Sequence, residues 1–134
     1  MLQPRKLKHS KQHKARKKGI SRKGIELAFA SYGLKAMEAK WISAQQIEAG
    51  RLAIVRTLKK KGKLWIRIFP YKPVTSKGLE APMGGGKGKP DHYIFPITPG
   101  RIIFEVDGVN EEKAKEVLRK AGAKMPIRTK FVKR

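Results

Sequence analysis

Two histidines and two adjacent acids are the residues whose types and spacing could carry metal or acid–base chemistry. His9 and His13 lie four residues apart, a spacing that can place two metal ligands on one helix face. They lie in a basic stretch in which the first acid comes only at residue 26, so no carboxylate completes a ligand set. Glu111 and Glu112 directly follow Asn110 at a predicted helix start, where the helix dipole explains their presence. We therefore predict no metal, no cofactor and no catalytic centre, and the absence of cysteine excludes disulfides and thiolate chemistry.

A glycine- and lysine-rich stretch within residues 76–91 is the second candidate for chemistry. It matches neither G-x-x-x-x-G-K-[ST] nor G-x-G-x-x-G, and it does not lead straight into a helix, so nucleotide hydrolysis is not predicted. Glycines let a backbone approach a phosphate chain closely, and lysines supply charge, which favours contact with nucleic acid. A plain hairpin tip is the alternative. The predicted contact residues are Met83, Gly84, Gly85, Gly86, Lys87, Gly88 and Lys89.

Positive charge dominates the composition of the chain. Its 134 residues include 33 Lys and Arg against 10 Asp and Glu, a formal net charge of +23. Residues 1–90 hold 23 basic and 4 acidic residues, whereas residues 91–134 hold 10 and 6. Such a balance indicates a polyanionic partner rather than a particular fold. Because no apolar run reaches the roughly 18 residues of a membrane span and no signal-peptide core follows the basic start, we expect a soluble, intracellular protein without a membrane partner.

Residues 1–24 are predicted to form a basic RNA-binding arm. They contain ten Lys or Arg, no acid and few large apolar side chains, so burial cannot offset the entropy of ordering them without a partner. A solvated tail that aids solubility and a nuclear-localisation signal are the alternatives. The predicted RNA contacts in the arm are Arg5, Lys6, Lys8, His13, Lys14, Arg16, Lys17, Lys18, Arg22 and Lys23.

Hydrophobic periodicity in residues 25–134 predicts one small α+β domain with two helices and a mostly antiparallel sheet. Thr98, Pro99 and Gly100 suit a type II turn, so the strands on either side are expected to pair as a hairpin. Residues 71–90 are expected to be a loop. The predicted strands cover residues 25–30, 34–41, 64–69, 93–97, 101–106 and 127–131, and the predicted helices cover about 44–61 and 111–122.

The first helix is predicted to bury one face and present a basic one. Ser43 and Gln46 form a capping box at its start, and Gly62 suits the position just after its end. Arg51 falls within the apolar arc, where it either snorkels to solvent or reaches phosphate. The predicted buried residues are Ala44, Ile47, Ile54, Val55 and Leu58. The predicted rRNA contacts of this region are Arg51, Arg56, Lys59, Lys60 and Lys63.

The second helix has a single apolar stripe, predicted to be buried, and two favourable i,i+4 ion pairs, Glu111–Lys115 and Glu116–Lys120. The stripe residues are Ala114, Val117, Leu118 and Ala121. Among the aromatic residues, core packing is expected for Trp65, Phe69 and Phe104, whereas Tyr32 and Tyr71 lie at predicted turns and are the candidates for stacking on bases.

Ordered motifs along nearly the whole chain resemble the bacterial and organellar form of large ribosomal subunit protein sixteen. They include Ser31-Tyr32-Gly33-Leu34-Lys35-Ala36, Ile42-Ser43-Ala44-Gln45-Gln46-Ile47 and Lys124-Met125-Pro126-Ile127-Arg128-Thr129, with further segments at residues 1–6, 12–14, 62–70, 83–88 and 99–101. Pro82 departs from the pattern, since many members carry Arg just before Met-Gly. Gln45 and Leu52 also replace commonly basic positions.

The resemblance implies an α/β-hammerhead-like fold and a structural, non-enzymatic role in the large ribosomal subunit. It implies binding to large-subunit (23S-type) rRNA and neighbouring ribosomal proteins, with loop residues 83–89 close to A-site tRNA and P-site tRNA as a further candidate. A homo-oligomer is not expected. The implied location is the cytoplasmic ribosome of a bacterium, with an organellar ribosome as the alternative. A non-ribosomal nucleic-acid packaging protein and an enzyme acting on RNA are the competing functions.

Overall fold

The computed structural model describes residue 2 and residues 24–75 and 90–134. The described part contains two helices and seven strands in the order ββαββββαβ. The elements are β1 Tyr32–Ala36, β2 Lys40–Ser43, α1 Ala44–Leu58, β3 Lys63–Ile66, β4 Lys72–Thr75, β5 Pro90–Ile97, β6 Ile102–Asp107, α2 Glu111–Gly122 and β7 Thr129–Lys133. The α+β class predicted from the sequence is confirmed.

The strands form two antiparallel sheets that share one core. The first sheet has the order β3-β6-β1-β7, and the second has the order β2-β5-β4. Leu34 of β1 lies opposite Phe104 of β6, and both side chains are buried in a cluster with Ile54 of α1 and Leu118 of α2. Gly50 lets α1 approach this cluster closely, because a Cβ there would lie 2.9 Å from the Phe104 ring.

The start of α1 is as predicted, but its end is not. The Ser43 hydroxyl accepts a hydrogen bond from the Gln46 amide at 3.2 Å, and the Gln46 side chain accepts one from the Ser43 amide at 2.9 Å. The helix ends at Leu58, and the next two residues, Lys59 and Lys60, have positive φ values of 50° and 71°. Gly62 is therefore not the capping glycine.

Gly62 is required for packing instead. A Cβ at this position would lie 2.9 Å from the carbonyl oxygen of Asp107, where β3 begins its pairing with β6. The predicted apolar arc of α1 is also wrong at one position, because Val55 is 45% exposed, whereas Gly50 is buried.

The predictions for α2 are confirmed except for one ion pair. Asn110 accepts a hydrogen bond from the Lys113 amide at 2.8 Å, and the four stripe residues are buried. Lys120 contacts Glu116 at 3.3 Å. Glu111 instead pairs with Lys133 of β7 at 2.8 Å, because the helix packs beside that strand.

Three further expectations for the strands are wrong. Residues 25–30 form no strand, residues 34–41 divide between β1 and β2, and residues 71–90 include the strand β4. Pro73 is tolerated within β4 because that strand lies at the edge of its sheet.

The predicted hairpin is replaced by a crossover between the two sheets. The turn itself forms, with a positive φ of 97° at Gly100 and a hydrogen bond of 3.3 Å from the Arg101 amide to the Thr98 carbonyl. The strands that it joins, β5 and β6, nevertheless belong to different sheets. Hydrogen bonds of 2.8 Å from the Gly100 amide to the Ala36 carbonyl, and from the Ala36 amide to the Arg101 carbonyl, hold the turn against the end of β1.

Candidate nucleic-acid interface

The predicted contact residues of the basic arm and of the glycine- and lysine-rich loop lie outside the described residues. The residues concerned are numbers 5–23 of the arm and 83–89 of the loop. Of the predicted rRNA contacts, the structure describes those of α1 and the segment that follows it.

Exposed cations cluster at the carboxyl end of α1. Four predicted residues, together with one that the prediction missed, lie in this short segment and are exposed to solvent. They are Arg56, Lys59, Lys60, Lys61 and Lys63, hereafter the α1 cationic cluster. Within the described residues, none of the five forms an ion pair. Their charge is therefore available to an anionic partner and also complements the negative end of the helix dipole.

A cleft of about 490 Å³ lies beside the α1 cationic cluster. Lys59 and Lys61 line it from the end of α1, and Asn110 and Lys113 line it from the start of α2. Lys113 pairs with Glu116 at 3.7 Å, so Lys59 and Lys61 are the cations of this concave surface that have no ion pair among the described residues, and they suit a phosphate backbone that passes beside them.

Arg51 does not belong to the α1 cationic cluster. Its guanidinium forms a two-point contact with Glu48, one turn earlier, in which Nε lies 3.1 Å from the carboxylate. This hydrogen bond lowers the pKa of the Glu48 carboxyl below its ordinary value and raises the pKa of Arg51. The guanidinium is therefore already paired within the chain, an outcome that neither alternative from the sequence included.

Glu105 is a buried carboxylate that the sequence reasoning missed. It lies in the apolar run of β6 and is 0% exposed. It accepts hydrogen bonds of 3.0 Å from the backbone amides of Ala28, Phe29 and Ala30, and it forms an ion pair with Arg67. The only signal in the sequence is an acid inside a run of large apolar residues.

The Glu105 carboxylate is held in its ionised form. Burial alone would raise its pKa, but the hydrogen bonds from Ala30, Arg67, Phe29 and Ala28 outweigh burial and leave the pKa below the ordinary value. These amides explain why residues 25–30 form no strand, since their donors are directed at a side chain rather than at a neighbouring strand.

Further contacts besides those of Glu105 join residues 24–30 to the four-stranded sheet. Arg67 lies over the ring of Phe29 at 5.4 Å, and Phe29 stacks on Trp65 with ring centroids 6.0 Å apart. The Gly24 carbonyl accepts a hydrogen bond of 2.7 Å from the Ile102 amide. Gly24, the last residue of the predicted arm, and residues 25–30, which follow it, are thus fixed to the four-stranded sheet.

The two tyrosines proposed for base stacking have different environments. Tyr32 stacks on Phe131 with a centroid distance of 5.8 Å, and the Lys115 ammonium group lies over the Phe131 ring, 5.6 Å from its centroid. Tyr71 is 39% exposed, and its ring is nearly perpendicular to that of Phe95, with ring centroids 6.1 Å apart. Phe69 was expected in the core but is 44% exposed, whereas Phe104 is fully buried as predicted.

Residues 24–75 and 90–134 contain no group of three or more His, Asp or Glu side chains that could hold a metal ion. No described helix is long and apolar enough to cross a membrane. A small α+β domain with clustered exposed cations and exposed aromatic rings belongs to the class of nucleic-acid-binding proteins.

Comparison with known proteins places the chain in a family. Residues 4–132 match the family described as "Ribosomal protein L16p/L10e", and the chain belongs to this family of structural ribosomal proteins, which are not enzymes. The resemblance drawn from the sequence motifs is thereby confirmed.

Three bacterial relatives match this chain over its whole length, and each carries the name "Large ribosomal subunit protein uL16". The protein of Porphyromonas gingivalis is 53% identical and is covered over 93% of its length. The protein of Bacteroides thetaiotaomicron is 54% identical with 93% coverage, and that of Thermosipho melanesiensis is 55% identical with 94% coverage.

Proposed function

We propose that this chain, a structural constituent of the large ribosomal subunit, binds large-subunit rRNA through phosphate contacts made by its exposed cations, among them the α1 cationic cluster. The observation that carries the proposal is the cluster itself: five exposed cations without an ion pair among the described residues. Its family relatives are bacterial and ribosomal, so the chain acts in the cytoplasmic ribosome of a bacterium.

The mechanism of binding is electrostatic and depends on shape. Each Lys or Arg that neutralises a phosphate releases a condensed counterion, which makes binding favourable and dependent on salt. A rigid domain with a shared core holds these cations at fixed spacing, so that they match the backbone of folded RNA rather than its sequence. No bond in the RNA is made or broken.

The arm and the loop have further roles in this proposal. The cationic residues of residues 1–24 contact rRNA and order on binding, and residues 83–89 contact A-site tRNA, with P-site tRNA as a second candidate. The composition of both segments and the family resemblance support these roles. The chain enters the subunit as a single copy, beside other ribosomal proteins.

Assembly into large subunits tests the proposal. We expect the double variant Lys59→Ala/Lys60→Ala to co-sediment with large subunits less than the wild type does when salt is raised. The matched control is Lys120→Ala/Lys133→Ala, which removes two exposed lysines that already pair with Glu116 and Glu111. Equal retention of the two double variants would contradict a special role for the cluster, and absence of the wild type from large subunits would contradict the proposed function.

Crosslinking tests the role of the loop separately. A crosslinker placed at Lys87 or Lys89 should reach A-site tRNA in ribosomes that carry it. Crosslinks to rRNA alone would contradict the tRNA contact and leave the rRNA contact intact.

A further inference from the structure

A second concave surface lies between the two sheets, away from the α1 cationic cluster. It is a cleft of about 380 Å³, formed where the chain leaves β3 and passes β5. The aromatic side chains of Phe69, Tyr71 and Phe95 line it, together with the guanidinium groups of Arg67 and Arg101. Its volume lies within the range of pockets that hold small planar ligands.

Two aromatic rings in this cleft are exposed to an extent that packing does not explain. Phe69 and Tyr71 are 44% and 39% exposed, although Pro70 between them is fully buried. The buried proline fixes the backbone, so the two neighbouring side chains are directed outward by the chain itself. Exposed aromatic surface that is fixed in place is the usual platform for stacking a nucleobase.

The guanidinium groups of the cleft are positioned before any ligand arrives. Arg101 lies over the ring of Phe95 at 5.3 Å and donates a hydrogen bond of 3.1 Å to the Arg67 carbonyl. Arg67 is in turn held by Glu105. Because these side chains are already ordered, a ligand that stacks beside them loses less conformational entropy on binding.

The charge of the cleft favours RNA over a protein as its occupant. Two guanidinium groups line it, and one of them, Arg67, is paired with the buried carboxylate of Glu105, so these three groups together keep a net charge of +1. A nucleotide offers a planar base for the aromatic rings and an adjacent phosphate for the positive charge, so both features of the surface are used at once.

We propose that this cleft binds one unstacked nucleobase of RNA, which stacks on Tyr71 or Phe69 while the positive charge of Arg101 attracts its phosphate. The inference rests on the RNA binding proposed above and adds that part of the bound RNA is single-stranded. The α1 cationic cluster contacts phosphates of any folded RNA, whereas this cleft requires a base that has left its helix.

Binding of the full chain to two RNA probes tests the inference. The probes are a single-stranded oligoadenylate and a perfectly paired RNA duplex of the same length. For the variant Tyr71→Leu, we expect affinity for oligoadenylate to fall by about 5- to 100-fold, the loss typical of one stacked base. Affinity for the duplex should stay within about twofold, and the salt dependence should not change, because no cation is removed.

The control variant is Tyr71→Phe, which keeps the ring and should keep the affinity for oligoadenylate. Phe69→Leu provides a second variant at an exposed position. If Tyr71→Leu lost affinity equally for oligoadenylate and for the duplex, or lost affinity for neither, the cleft proposal would be overturned. Salt-dependent binding of the duplex would then remain as evidence for the proposed function. Failure of the wild type to bind either probe would overturn both.

Ultraviolet crosslinking of intact large subunits gives a readout that needs no variant. We expect a nucleotide adduct on the peptide that contains residues 69–71. A crosslink from this peptide to another ribosomal protein, without a nucleotide adduct, would overturn the proposal in favour of a protein occupant.

Discussion

At the scale of single residues, the Glu105 carboxylate is the contact on which the start of the domain depends. It joins three consecutive backbone amides, those of residues 28–30, to a strand that lies 75 to 77 positions later in the chain. The capping residues Ser43 and Asn110 could be predicted because their partners lie three positions away. The three amides that pair with Glu105 could not be predicted, because every residue except proline carries a backbone amide and residue type does not show which of them meet a distant carboxylate.

Removal of the Glu105 side chain should strongly destabilise the domain. In Glu105→Ala, the Arg67 guanidinium and three backbone amides lose their partner in a buried site, so we expect a loss of about 3–5 kcal/mol in the free energy of unfolding. Urea unfolding measures this value. The matched control is Glu26→Ala. Glu26 is an exposed acid close in sequence to the three amides that donate to Glu105, and its removal should change the free energy of unfolding by no more than about 0.5 kcal/mol. Similar small losses in both variants would contradict the assigned role.

The ionised state of Glu105 makes a contribution to stability that depends on pH. Because its pKa is lowered in the folded state, this contribution is fully present above the ordinary value of 4.5 and is lost as the pH falls through the lower folded value. The difference in unfolding free energy between the wild type and Glu105→Gln should therefore shrink as the pH falls below 4.5. Glu48, Glu111 and Glu116 also have lowered pKa values, but they occur in both proteins and cancel. A difference that grows on acidification would contradict this account.

At the scale of elements, two lysines of the α1 cationic cluster, at the end of α1, have an unfavourable backbone conformation. Lys59 and Lys60 both have positive φ values, which cost L-residues other than glycine about 1 kcal/mol or more. Glycine would be more stable there but would remove a cation of the α1 cationic cluster. Lysine at these two positions therefore supplies charge to the cluster in a backbone conformation that favours glycine.

Glycine at position 59 should stabilise the fold and at the same time weaken rRNA binding. We expect Lys59→Gly to raise the free energy of unfolding by about 0.5–1 kcal/mol, since glycine adopts positive φ without strain. It should also lower the salt slope of rRNA binding by about 0.7–0.9, the value for one phosphate contact. Lys61→Gly is the control, because Lys61 has no positive φ: it should weaken binding similarly without the gain in stability. Equal changes in stability for the two variants would contradict the strain argument.

Local sequence patterns predicted the helices and turns better than they predicted which strands pair with each other in the sheets. Both helices, their first residues and the turn at Pro99 and Gly100 follow from short-range spacing. The pairing of β5 and β6 was wrong because a turn does not determine which sheet each strand joins, and here hydrogen bonds to Ala36 hold the turn at a crossover. The exposure of Phe69 could not be predicted either, because it depends on the burial of the neighbouring Pro70.

At the scale of the whole molecule, a small, largely apolar core carries a large excess of positive surface charge. The buried cluster is formed by apolar side chains of both sheets and both helices, whereas exposed lysines and arginines lie outside it. A net charge of +23 on a chain of 134 residues repels itself unless a polyanion neutralises it. Partner binding and compact folding are therefore expected to be coupled, with rRNA raising the thermal stability of the domain.

The salt dependence of rRNA binding is the most direct test of the central claim, that this protein embeds in rRNA through phosphate contacts. The affinity of the full chain for large-subunit rRNA is measured over a range of salt concentrations and plotted as log affinity against log salt. We expect a steep negative slope, which Lys59→Ala/Lys60→Ala reduces by about 1.4–1.8 and which Lys120→Ala/Lys133→Ala leaves nearly unchanged. A nearly flat dependence for the wild type, or equal slopes for the two double variants, would contradict the account.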